Sequence, residues 1–366
     1  MTADPRTATT VPPAVPDDRV RNAGGSLVSL KEIREAARAL AGVARRTPLF
    51  PVSLPTGGPH AVPREPASPP EAWLKCENLQ HVSAFKLRGA YNFVRLLEEE
   101  RRRMGLVTYS SGNHAQGVAF AARAFGIPAT VVMPEDVPPI KLEATRALGA
   151  EVELAGTTSP ERQARAEEIV SETGAVMVPP FDHPHIIAGQ GTVGLEVIEQ
   201  LSGRETPAAR GGRGLPALLL VPVGGGGLIS GIAAAVRAVA PGAKVIGVEP
   251  EGAASMAASL AAGRAVTLER VDTLADGLKP VRPGDLTLRH CQELVERVVT
   301  VSDEEIVEGV RWLFGQRLVV EPSGGAAVAA LLAGRVRIAP PAEGATVAIL
   351  SGGNLDPALL ARWVAS

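Results

Sequence analysis

Three stretches of the sequence carry residue types and spacings that can do chemistry. In Ser83-Ala84-Phe85-Lys86-Leu87-Arg88-Gly89-Ala90 a lysine stands between two apolar residues, and a helix-forming run over 91–103 follows. Lysine is ordinarily a solvated surface residue. Between Phe85 and Leu87, Lys86 is expected to be at least partly buried, and burial lowers an amine's pKa and makes it usable. The alternative is a lysine that simply reaches out to water. The second stretch is Val221-Pro222-Val223-Gly224-Gly225-Gly226-Gly227-Leu228, between a strand-like and a helix-like run. There the N–H groups of Gly224, Gly225, Gly226 and Gly227 can converge on an anion at a helix N-terminus, as a phosphate cradle. The stretch lacks both the Gly-Lys-Ser/Thr ending of a Walker A loop and the spaced glycines of dinucleotide sites. A tight turn alone needs fewer than four glycines. The third stretch is Ser110-Ser111-Gly112-Asn113-His114, at the C-terminal end of a strand, where ligands sit in open α/β sheets. Its hydroxyls, amide and N–H groups suit a carboxylate or a phenolic oxygen; the alternative is a helix N-cap by Ser111 or Asn113.

Smaller signals accompany these. Ser351 opens Ser351-Gly352-Gly353-Asn354 at a strand end, where its hydroxyl could bond a ring nitrogen or merely sit in a turn. Glu321, ahead of Pro322-Ser323-Gly324-Gly325, reads as a pocket residue or a cap. His183 and His185, two apart around Pro184, make a poor metal pair and read as a surface loop. A buried lysine, a phosphate cradle, a polar anion loop and a strand-end serine together are what pyridoxal phosphate needs from a protein.

These residues must be held by an alternating scaffold. From residue 106 the sequence repeats strand, loop and helix: strands over 106–109, 129–133, 151–154 and 176–178, helices over 115–125, 141–148 and 160–173. Further helices are expected over 30–44, 191–201, 229–239 and 303–313, and strands over 73–76, 218–223, 245–249, 319–320 and 346–350. The alternation predicts an α/β fold of open, mostly parallel sheets flanked by helices. A tail over 1–26, a small domain over 105–182, and a large domain of 27–104 with 183–366 are expected. The segments 55–71 and 204–215 read as an exposed loop and a link.

Composition excludes other classes. A net charge of −2 argues against a nucleic-acid surface or a polybasic membrane anchor, and 3% aromatic residues provide no stacking platform. No apolar run reaches the ~20 residues of a membrane span. Cys76 and Cys291 lie too far apart in sequence for a metal-ligand pair and fit a reducing, cytoplasmic setting.

In order along the chain, Ser-Ala-Phe-Lys86-Leu-Arg-Gly-Ala, Ser-Ser111-Gly-Asn113-His-Ala-Gln-Gly, Gly224–Gly227 and Ser351-Gly-Gly-Asn resemble the serine/threonine dehydratase family of fold-type-II, tryptophan-synthase-β-like pyridoxal-phosphate enzymes. Gln190-Gly191-Thr192, Ala275-Asp276-Gly277-Leu278-Lys279 and Arg282-Pro283-Gly284-Asp285-Leu286-Thr287 strengthen the resemblance, which covers about residues 28–360. It implies a small domain inserted in a larger one and Lys86 as the lysine that bonds the cofactor. Phe85 would pack beside the ring and Asn113 would bond its phenolic oxygen. Glu321 would join the pocket, Gly224–Gly227 would hold the phosphate, and Ser351 would bond the pyridine nitrogen. Ser110, Ser111, His114 and Arg162 would meet the substrate carboxylate. The implied activity is β-elimination from a small hydroxyamino acid, L-threonine or L-serine, by a homodimer with no C-terminal regulatory domain. Serine racemase and 3-hydroxyaspartate ammonia-lyase are the alternatives within the family, and a β-replacement synthase is disfavoured by the Phe-Lys-Leu-Arg-Gly-Ala context. Ser111 resembles the second base of racemases, whereas Pro280 favours a lyase. Glu249 matches a racemase cation ligand, but Ser255 stands where an acidic partner belongs, so no metal is assigned.

Overall fold

The computed structural model of the chain describes residues 26–55, 72–203, 214–340 and 342–365. The expected tail (Ser26 apart), most of the 55–71 loop and most of the 204–215 link lie outside them. Ten strands form two sheets among these residues. The larger contains β1 (Leu49–Val52), β2 (Ala72–Cys76), β7 (Pro216–Pro222), β8 (Lys244–Pro250), β9 (Arg297–Val301) and β10 (Ala345–Leu350). Its order is β1-β2-β10-β7-β8-β9. Only the β1–β2 pair is antiparallel. The smaller sheet, all parallel, takes β3 (Leu106–Tyr109), β4 (Ala129–Met133), β5 (Glu151–Leu154) and β6 (Val176–Met177) in the order β5-β4-β3-β6.

Every residue of β10 is buried, as a strand covered on both faces requires. Alternate side chains divide between two cores. Leu218, Leu220, Ala348 and Leu350 face the helices later in the chain, α11 (Asp303–Gly315) and α12 (Pro322–Leu332). Leu219, Val221, Val347 and Ile349 face α7 (Pro184–Ser202) and α8 (Gly227–Val239). The smaller sheet's core takes Ala90, Phe93 and Val94 from α2 (Lys86–Arg95) and Ala115, Val118 and Ala122 from α4 (Asn113–Phe125). Helix α2, which sequence places in the larger domain, thus packs into the core of the smaller sheet.

Local signals explain several elements. Helix α1 (Leu30–Leu40) opens with a capping box between Ser29 and Glu32. Helix α6 (Ser159–Thr173) opens with another, between Thr158 and Glu161, and ends on left-handed Gly174. Other expectations are corrected. The run over 91–103 is two helices, α2 and α3 (Glu99–Arg103), with α2 beginning at Lys86 itself. Among the described residues Val319-Val320 pairs with no strand, and the Pro-Ser-Gly-Gly turn is the first turn of α12. Strands β1 and β9, helices α5 (Pro139–Ala147), α9 (Ser255–Ala262), α10 (Asp285–Leu294) and α13 (Pro357–Ala365) complete the fold. Of these only α5 was expected.

Candidate active site

The loops that leave β3, β7 and β10 at their C-terminal ends carry Ser110–Asn113, Gly224–Gly227 and Ser351–Asn354, the position where open α/β sheets bind ligands. The Lys86 stretch is bound to the last of these. Phe85 N–H donates to Ser351 O (3.2 Å) and Gly353 N–H to Ser83 O (2.7 Å). Asn354 Nδ2 donates to Val82 O (2.9 Å). The turn needs Ser83 at φ 52°, a left-handed value that L residues seldom take.

Lys86 is half-buried at the start of α2, beside Phe85, and its Nζ donates to Pro180 O at 2.7 Å. Burial lowers its pKa to about 8, with no carboxylate partner to oppose the shift. Asn113 does not cap its helix: the N-cap is Gly112, with no side-chain bond. Its amide is oriented at both ends instead, Oδ1 accepting from Asn354 Nδ2 (2.7 Å) and Nδ2 donating to Glu321 Oε1 (2.5 Å). Glu321 holds the N-cap position of α12 without capping it, and is buried. Burial and then the charge of Asp276 raise its carboxyl to about 7, against the opposing pull of Lys141 and the Asn113 amide. Lys141 and Asp276 form an ion pair that joins α5 to the Ala-Asp-Gly-Leu-Lys loop, hence one sheet's side of the cleft to the other's. Ser351 Oγ is buried and donates only a long bond to Ser323 O, at 3.4 Å.

The glycine run answers the question it posed. Gly226 has φ +94°, and a Cβ there would lie 2.7 Å from the Met256 methyl. A Cβ on Gly225 would enter the Phe181 ring. Among the described residues the N–H groups of Gly224–Gly227 donate to no acceptor. Four clustered amides without acceptors at a helix N-terminus fit a phosphate dianion.

The other expected members lie as follows. Ser110 Oγ accepts from Gly112 N–H (3.3 Å), and half-buried Ser111 stands beside it. His114 is buried with Nε2 against Val178 O (3.1 Å), and burial and the nearby Lys86 charge lower it to about 3, so its ring is neutral. Arg162 commits Nη1 to Thr157 O and Nη2 to Ser159 Oγ, both 3.0 Å, at its own helix's start, and shares no hydrogen bond with the site. Glu249 accepts from the N–H groups of Met256 and Ala257 at the start of α9, and burial raises it to about 7.

Two features escaped the sequence. Segment 178–185, whose part around His183 and His185 was read as a surface loop, is the junction of the site: Val178 O meets His114, Pro180 O meets Lys86, Phe181 covers the glycines, and Asp182 binds the start of α10. His183 and His185 pack against Phe93. Behind Lys86 lies a buried charge cluster. Arg88 clasps Glu77 through Nε and Nη2, both at 2.8 Å, and reaches Glu196 at 2.6 Å, while Lys75 meets Glu196 at 2.6 Å. Charged residues in a strand buried on both faces, such as Lys75 in β2, were the available signal.

The sequence matches the family described as "Pyridoxal-phosphate dependent enzyme" over residues 40–352. The chain belongs to this family. It is 44% identical over 92% of its length to the L-threonine ammonia-lyase of Thermotoga maritima, covering 78% of that protein. It is 42% identical to the catabolic L-threonine dehydratase TdcB of Escherichia coli K12, over 78% of this chain and 83% of that one. Among solved structures, a threonine deaminase from T.th. matches with a TM-score of 0.77 at 41% identity, covering 90% of this chain and 99% of that one. Maize serine racemase matches with a TM-score of 0.80 at 34% identity, over 92% and 97%. In this pyridoxal-phosphate enzyme, the depressed Lys86 amine, the acceptor-free glycine amides and the Ser351 hydroxyl make a donor set that fits the cofactor.

Proposed function

We propose that this chain is an ammonia-lyase that removes the β-hydroxyl of L-threonine, and of L-serine, to release a 2-oxo acid and ammonia. The observation that carries this is Lys86: a half-buried amine lowered to about 8 by burial, anchored to the strand-end loop that bears Ser351. The names of the relatives described above support threonine as substrate. When bound, pyridoxal phosphate supplies an electron sink for the pair left at Cα. Lys86 would hold the cofactor and, as free base, take the Cα proton. Gly224–Gly227 would hold the phosphate, Asn113 and Glu321 the phenolic edge, Ser351 the pyridine nitrogen, and Phe85 one side of the ring. The Ser110 and Ser111 hydroxyls and the amides opening α4 would bind the α-carboxylate. His114, neutral, shapes that loop through Val178 O. Arg162 joins this set only by exchanging Thr157 O and Ser159 Oγ for the carboxylate. In net stoichiometry the substrate loses water across Cα–Cβ and then exchanges its nitrogen for the oxygen of a second water.

The test is an assay of 2-oxo acid and ammonia with L-threonine, L-serine, the 3-hydroxyaspartates and the D-isomers. Oxo acid from L-threonine, abolished by Lys86→Ala, is the expected result; none from any of them overturns the proposal. A racemase reading draws on Ser111, whose half-buried hydroxyl makes no hydrogen bond among the described residues. Chiral analysis of residual serine tests it, D-serine being the outcome in its favour. Two buried, unpaired thiols, Cys76 and Cys291, suit a cytoplasmic protein, and the family resemblance implies a homodimer, which light scattering checks.

A further inference from the structure

The glycine run does not set its own geometry. Thr287, fully buried in the first turn of α10, donates its hydroxyl to Gly225 O at 2.7 Å, and Gly284 N–H approaches the same oxygen at 3.5 Å. The turn bearing Thr287 is itself fixed. Asp182 Oδ1 accepts Thr287 N–H (3.0 Å) and Oδ2 accepts Asp285 N–H (3.1 Å). Ser230 Oγ donates to Thr287 O (3.3 Å). A Cβ on Gly226 would lie 2.8 Å from Thr287 Cβ, so the threonine side chain is packed directly on that peptide unit.

A trans peptide points its C=O and the following N–H in opposite directions. A hydroxyl that holds Gly225 C=O toward α10 therefore aims Gly226 N–H away from α10, to the side left free for an anion. We propose that Thr287 is a positioning residue for the phosphate cradle, with Asp182 holding Thr287 in place. Neither residue touches the phosphate; they fix the orientation of a peptide that does. The proposal rests on the cofactor site above and is independent of which amino acid is the substrate.

The experiment titrates the full-length chain, freed of cofactor, with pyridoxal phosphate and separately with pyridoxal, which lacks the phosphate. Thr287→Val removes the hydroxyl at constant shape, and Thr287→Ser keeps it. For T287V the affinity for pyridoxal phosphate is expected to fall roughly ten- to hundredfold, while that for pyridoxal stays at the wild-type value. T287S is expected to retain wild-type affinity for both, and Asp182→Asn, which keeps one acceptor, to fall between. Wild-type binding by T287V overturns the proposal. So does an equal loss of both ligands, which marks general collapse of the site, or a T287S as weak as T287V. Should T287V not fold, the ratio of the two affinities in D182N decides, and an unchanged ratio overturns the proposal. A wild-type chain that binds neither ligand defeats the cofactor site itself, whereas one that binds the cofactor but turns over no hydroxyamino acid defeats only the proposed activity.

Discussion

Burial depresses the Lys86 amine, and no carboxylate opposes the shift. The site's acids Glu321 and Asp276 are engaged with Asn113 and Lys141. With its pKa lowered from the ordinary 10.5 to about 8, the amine is protonated below that pH and free above it. Capture of pyridoxal phosphate by the cofactor-free chain needs the free amine. Its rate is therefore expected to rise with pH and level off just above 8; a rate still climbing at 10.5 would show an amine unaffected by burial. At this scale much was legible. The four adjacent glycines stand out by themselves, whereas the lysine between Phe85 and Leu87 and the Ser-Gly-Asn loop gain their meaning only in combination with them. His114 was not: its neutral state is set by burial and then by the Lys86 charge, against the opposing hydrogen bond to Val178 O sixty-four positions away, and nothing adjacent to it in sequence announces that environment.

Helix α2 starts at Lys86, and two residues on, Arg88 ties it to the turn that follows β2 and to α7 through Glu77 and Glu196. Burial alone would raise the Glu77 carboxyl, but Arg88 and then Lys75 keep it below the usual range. Removing one partner from such a cluster leaves an uncompensated buried charge. Glu77→Gln is expected to lower unfolding free energy by about 3–5 kcal/mol, read from the urea midpoint. Such a cluster is hard to see in sequence because its members are spread over 75, 77, 88 and 196, and each charged residue alone looks solvated. Elements with local signals were legible, above all those with capping boxes. Helix α12 was hidden because Pro-Ser-Gly-Gly is a turn signature. Here the glycines serve packing instead: a Cβ on Gly324 would enter the Gly352 carbonyl, and one on Gly325 would press on Val310. The edge strands β1 and β9 are short and only half covered, whereas every residue of β10 is buried.

For the molecule as a whole, buried titratable groups set opposing slopes of stability with pH. Burial holds His114 and His183 at about 3, below the usual 6.5; between those values the unfolded chain binds more protons, and stability rises with pH. Burial also raises Glu249 and Glu321 to about 7 from the usual 4.5; there the folded chain binds more protons, and stability falls with pH. The windows overlap between 4.5 and 6.5 with opposite signs. Glu249→Gln is thus expected to shift the slope of unfolding free energy with pH in the positive direction across that interval, measured by urea titrations of the cofactor-free chain at several pH values; an unchanged slope would count against a raised Glu249. The alternation of strands and helices made the two-sheet architecture legible, but not the placement of β10, which no local pattern encodes. That placement carries a temporal consequence. The smaller sheet is drawn wholly from residues 106–177, so a growing chain holds all four of its strands before β7 has been made. Strand β2, made earlier, must wait for residues 345–350 to provide its parallel neighbour. Vectorial synthesis therefore offers the β3 loop proposed to bind substrate a four-stranded support while the larger sheet is still open, and β10, the last of the ten described strands and the one that leads into Ser351, closes that sheet.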